Sequence, residues 1–195
     1  MKASINRRKF ISGLSGFTLF NLFAYSLGNS HNDTKHNIEM MEQYDMQLRP
    51  HHILDIISDQ GKGIEYEPHP YGHSQHIVAQ KLLSNLDLKI QLVLGADDIC
   101  EGCEHLLPDR KCKDVLAQLN PSPSKQAYND VLDCQLFDSF SIKVNSVMTT
   151  REYLTIVNEQ VPGIERICTH PKENQEERLN GLKDGLVKLG IRDQT

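Results

Sequence analysis

The chain has 195 residues, 38% hydrophobic and 24% charged, with a net charge of −5, five cysteines and no tryptophan. That length suits one domain with a real core and leaves little for a second. Basic residues gather nowhere outside the first ten positions, which argues against a nucleic-acid partner, and five cysteines are too few for a disulfide scaffold.

The N-terminus reads as an address. Asn6-Arg7-Arg8-Lys9-Phe10-Ile11 precedes a weakly apolar, Ser- and Gly-laced run to Leu27. An Arg pair, an aromatic and a soft hydrophobic core resemble a twin-arginine export signal, with a small-x-small cleavage site at Ala24-Tyr25-Ser26. Residues 1–26 are therefore expected to be removed after engaging the twin-arginine translocase, leaving a periplasmic or otherwise exported protein. The run is too polar for a permanent membrane span. Its removal takes Lys2, Arg7, Arg8 and Lys9 with it, so the mature charge falls from −5 by four to about −9. Residues 27–45 are polar and aperiodic and read as a flexible linker, and residues 46–195 as the folded domain.

Pro50 opens the first helix, with Ile53, Leu54, Ile56 and Ile57 as its apolar stripe and Gly61-Lys62-Gly63 as its end. A Pro-punctuated loop follows from Glu65 to Tyr71. A second helix is expected over about 74–85, turning Ile77, Val78, Leu82 and Leu83 inward. Leu88 to Leu94 alternates strictly and predicts a strand that Gly95 closes. Further helices are expected over 114–119, 124–137 with Tyr128, Val131, Leu132 and Leu136 inward, 151–160 capped by Thr149 or Thr150, and 172–189 with Gly190 as its cap. The fold class is thus mostly α with one or two short strands (α+β), a single small domain around a cysteine-rich loop.

That loop is Asp97-Asp98-Ile99-Cys100-Glu101-Gly102-Cys103, continued to Cys112. A Cys-x-x-Cys turn can aim two sulfurs at one point, as a metal or an iron–sulfur cluster requires, and Gly102 can supply positive φ. Three thiolates leave the site one ligand short. Cys168 is the favoured fourth because it lies between helices. Cys134, in a helix beside Leu132 and Leu136, reads as a small core residue, and Asp55 is a harder donor. Asp97-Asp98 reads as capping or solvating the loop. Five of the nine histidines, His51, His52, His69, His73 and His76, fall within 26 residues. They form a candidate ligand pocket, with His69, His73 and His76 expected near the cysteine loop because the 88–94 strand leads there. The alternative is that they merely orient a loop.

Leu48-Arg49-Pro50-His51-His52-Ile53-Leu54, then Gly61-Lys62-Gly63, then Asp97-Asp98-Ile99-Cys100-x-x-Cys103 and Cys112 resemble an uncharacterised cysteine-rich family of bacteria and archaea, described as iron–sulfur binding. The resemblance covers about residues 46–120. It implies a cluster at these cysteines, and many members carry Cys where this chain has Asp55.

Three function classes follow. The first is an exported iron–sulfur protein in electron transfer or a redox system, with a redox partner protein. The second is a zinc-stabilised binding or structural module using Cys100, Cys103, Cys112 and one more Cys or His. The third is a thiol oxidoreductase built on Cys100 and Cys103. No nucleophile–base pair, phosphate loop or paired carboxylate stands out.

Overall fold

The computed structural model describes residues 43–168, 170 and 172–194. The export signal read at 1–26 and nearly all of the linker lie outside the described residues. Among those described, no helix is long and apolar enough to cross a membrane.

Among the described residues, five α-helices and a three-stranded sheet make a small α+β domain. Strand β1 (Met46–Leu48) runs into helix α1 (Pro50–Lys62), followed by α2 (Gln75–Ser84) and β2 (Lys89–Leu92). Then come the cysteine loop, α3 (Lys125–Phe140), β3 (Val147–Thr149), α4 (Thr150–Glu159) and α5 (Gln175–Lys188). β2 is central, parallel to β1 with Leu48 opposite Leu92, and antiparallel to β3 with Ile90 opposite Met148. A parallel pair needs a long crossover, and α1 and α2 supply it.

The α1 stripe behaves as its spacing demands: Ile53, Leu54, Ile56 and Ile57 are all buried. They pack with Leu82, Ile90, Leu92, Tyr153, Leu154, Val157, Leu182 and Leu186 in one core. Helix α4 starts in a capping box, Glu152 N–H donating to Thr149 Oγ1 (3.1 Å) while Thr149 N–H donates to Glu152 Oε2 (2.7 Å). Gly190, with φ +66°, follows the end of α5 as expected.

Four expectations are corrected. Residues 114–119 are not a helix: Val115 is bridged to Ser124, and Leu116 to Leu119 form a single turn. β1 and β3 are strands that the sequence pattern did not mark. Val131 is 57% exposed and Ile77 45%, so neither faces the core. Cys134 is exposed on α3 rather than a small core residue.

Two features of this frame position the site. α1 and α5 cross with their backbones nearly touching, through Gly61, Gly181 and Gly185. Lys188 on α5 donates to the carbonyls of Gln60 and Gly61 (2.8 and 2.9 Å), satisfying the end of α1.

Candidate functional site

The cysteine loop follows β2 and is built from local bonds. Asp97 accepts from Ile99 N–H (3.1 Å) and opens a 3-10 turn over Asp98–Cys100. Cys103 N–H then donates to the Cys100 carbonyl (3.1 Å), closing the Cys-x-x-Cys turn with Gly102 at φ +78°. Residues 105–113 fold back as a small hairpin: Leu107 N–H donates to Lys111 O (2.8 Å) and Lys113 N–H to His105 O (2.9 Å). The hairpin carries Cys112 back towards Cys103. The Cys103 sulfur accepts from His105 N–H at 3.4 Å.

The histidine loop is sewn onto this turn, as the strand order led one to expect. Ser74 N–H donates to Ile99 O (2.8 Å) and Glu104 N–H to Tyr71 O (2.9 Å). The approach is so close that a Cβ at Gly72 would lie 2.8 Å from the Gly102 carbonyl oxygen. Only glycine fits there, and both positions have positive φ. His69 stacks on His73 at 3.8 Å, and Tyr71 on His105 at 4.4 Å. Of the three histidines expected here, His73 lines the cavity described below. His69 and His76 are not among its lining residues.

The second wall comes from the N-terminal end of α1. His52 Nδ1–H donates to Asp97 Oδ2 (2.7 Å), and the same oxygen accepts from Arg49 N–H (2.8 Å). Burial alone would raise the Asp97 carboxyl. The His52 charge and hydrogen bond, with the Arg49 N–H, outweigh it and hold the pKa at about 2. Asp97 therefore caps the turn, as read from sequence, but it does not solvate it: the residue is fully buried and ties the turn to α1. Behind this wall, Asp133 of α3 accepts from Arg49 Nε (2.6 Å) and from both His51 N–H (3.0 Å) and His51 Nδ1–H (2.8 Å). Burial pushes His51 down and holds it towards the neutral form.

These walls enclose a cavity of about 560 Å³. Cys100, Cys103, Cys112 and Cys168 all line it, as do His51, His52, His73 and Asp55. Cys134 does not. All five cysteines are free thiols. Burial, reinforced by Asp97, pushes the Cys100 thiol up to about 12, and burial also raises Cys168. Burial and the neighbouring His69 push His73 down to about 4, so its ring is neutral, and its Nδ1 is buried without a hydrogen-bond partner.

In donor chemistry the wall suits a soft metal or a cluster, with thiols and neutral imidazole side by side. Among the described residues, however, no three Cys, His, Asp or Glu side chains stand together as a metal cage. Loading would require the thiols to turn towards a common point.

Asp55 is paired with Arg178 of α5 at 2.8 Å. That bond gives the carboxylate a partner of its own. Four residues escaped the sequence reading: Arg49, Asp130, Asp133 and Arg178. The detectable signal was Asp133, an acid flanked by Leu132 and Leu136 on the inward stripe of a helix, where a charge demands a buried partner.

A family model described as protein of unknown function (DUF1284) matches residues 66–172, more than half of the chain. That span takes in the histidine loop, the cysteine loop and Cys168, but not α1. No curated protein and no solved structure matches the chain.

Proposed function

The chain belongs to the DUF1284 family of proteins of unknown function, and we propose that it is an exported iron–sulfur-binding protein serving electron transfer or a larger redox system. One observation carries the reading: Cys100, Cys103, Cys112 and Cys168 line a single cavity, while Cys134 stands exposed elsewhere. Clusters are held by four cysteine thiolates, and this is the set the chain offers. A bound cluster would supply one-electron chemistry. The chain's own part is to shield it within the cavity and to donate N–H bonds to sulfur, as His105 does to Cys103, which tunes potential.

The test is iron and acid-labile sulfide on protein purified without oxygen. Single Ser substitutions at Cys100, Cys103, Cys112 and Cys168 are expected to lose cluster, and Cys134→Ser to keep it. Full content in Cys100→Ser and Cys103→Ser would overturn the site, and full content in Cys168→Ser alone would overturn the fourth ligand.

One observation favours a zinc module as the second reading. His73 is neutral and lines the cavity with a buried, unpartnered Nδ1, the state in which imidazole binds zinc. Its ligands would be Cys100, Cys103, Cys112 and His73. A colourless protein with one zinc, lost in His73→Ala and retained in Cys168→Ser, would select it. Thiol exchange fits less well, because a hairpin follows Cys103 where a helix N-terminus would activate the thiol.

Export follows from the Arg pair ahead of the soft apolar run. Changing Arg7 and Arg8 to Lys is expected to leave precursor in the cytoplasm. Normal export of that variant, or export in a host lacking the twin-arginine translocase, would refute the route.

A further inference from the structure

The cavity extends well past the cysteines. Its volume of about 560 Å³ lies within the range of sites for whole metabolites, roughly 300–1,000 Å³. α1 forms its floor, and at about 1.5 Å per residue Lys62 lies roughly 15 Å along the helix from His52. The far end is lined by Asp55, Asp59, Lys62, Glu173 and Arg178.

Arg178 is buried, and it holds Asp55 at 2.8 Å with one terminal nitrogen. Its other terminal nitrogen stands 3.6 Å from Glu173 Oε2, beyond a good hydrogen bond. Its Nε is buried and has no acceptor among the described residues. Lys62 reaches across Gly181, and its Nζ is 3.9 Å from both Asp59 Oδ1 and Glu173 Oε1. So two cations have donors without a close acceptor, and beside them two carboxylates have acceptor capacity to spare. Asp59 uses one oxygen, on the Tyr66 hydroxyl at 2.7 Å.

We infer that this end of the cavity binds a zwitterionic, amino-acid-like metabolite, its carboxylate on Lys62 and Arg178 and its ammonium on Asp59 and Glu173. A dicarboxylate would add negative charge to a wall that already carries three acids against two bases. A diamine would leave the Lys62 and Arg178 donors unmatched. One group of each sign meets both halves. The site does not depend on a cofactor at the cysteines.

The test is calorimetric titration of the full chain with the protein L-amino acids, with succinate and putrescine as single-sign probes. At least one amino acid is expected to bind saturably, and neither single-sign probe to do so. Lys62→Met keeps the apolar stem and removes the charge, so it should weaken binding about tenfold or more, as loss of a charge-assisted bond does. Glu173→Gln should weaken it from the ammonium side, and serves if the Lys62 variant does not fold. Amino-acid binding is read by calorimetry, and cluster content by iron and acid-labile sulfide on the same preparation, so failure of one proposal is distinguishable from failure of the other. The inference is overturned if no amino acid binds, if only succinate or only putrescine binds, or if folded Lys62→Met and Glu173→Gln both bind as tightly as the parent.

Discussion

Asp133→Ala is expected to destabilise the protein by about 3–5 kcal/mol, the usual cost of removing one member of a buried ion pair. Asp133 is 0% exposed and Arg49 3%. The carboxylate takes Arg49 Nε on one oxygen and two His51 donors on the other, so its loss leaves the buried Arg49 Nε and two His51 N–H groups without an acceptor. Against a total stability of roughly 5–15 kcal/mol, that is a large share. The check is urea unfolding, with the midpoint falling and the slope unchanged. Asp130→Ala is the internal control. Asp130 also pairs with Arg49, but its side chain is 39% exposed, so its loss should cost about 1 kcal/mol or less. Equal effects of the two substitutions would mean that burial does not set the strength of this network. Because His51 and His52 form one wall of the cavity, loosening Asp133 should also disturb whatever the cysteines hold.

The same residues show where sequence reasoning stops. Helix α1 was legible because four apolar positions repeat at helical spacing after a proline, and α4 because a threonine at 149 or 150 could cap it; the structure selects Thr149 and adds Glu152 to complete a capping box. Cys168 was preferred because loop backbone can turn a thiol, and Cys134 was set aside as a small core residue. Cys168 lines the cavity and Cys134 does not, but Cys134 is exposed on α3, so the reason for setting it aside was wrong. What failed was local signal overruled by pairing outside the segment that carried it. Asp114 to Leu119 has helical composition, but six residues cannot sustain a helix alone, and Val115 pairs with Ser124 instead. Asp133 could be suspected as a buried acid, but its partners lie more than 80 residues away in sequence, and nothing local names them. Arg178 is harder still. It occupies a helix rich in charge, and its burial becomes evident only once α5 lies against α1.

That contact supports the other large expected effect. In an exposed helix, Gly→Ala stabilises by about 1 kcal/mol through backbone entropy and propensity. At Gly185 the sign should reverse. A Cβ there would lie 2.1 Å from the Ile57 carbonyl oxygen and 2.9 Å from its Cγ2, and the nearer neighbour is helix backbone that cannot rotate aside. Gly181 meets the Ser58 carbonyl oxygen at 2.6 Å, and Gly61 meets Gly181 itself at 1.9 Å. α1 and α5 can accept a methyl only by moving apart, which opens the packing around Ile57, Leu182 and Leu186. The expected cost of Gly185→Ala is about 3 kcal/mol, the upper end of ordinary overpacking. For a domain of this size that lowers Tm by roughly 6–12 °C. Gly190→Ala gives the contrast: nothing lies within 4 Å, so only its φ of +66° is strained, at about 1–2 kcal/mol. Should Gly185→Ala raise Tm, the close crossing of α1 and α5 is wrong. Arg178 stands one and two turns before these glycines on α5, so moving the helix also draws its guanidinium away from Asp55. Gly185→Ala is therefore expected to weaken amino-acid binding at the Lys62 end of the cavity even at temperatures where the protein remains folded.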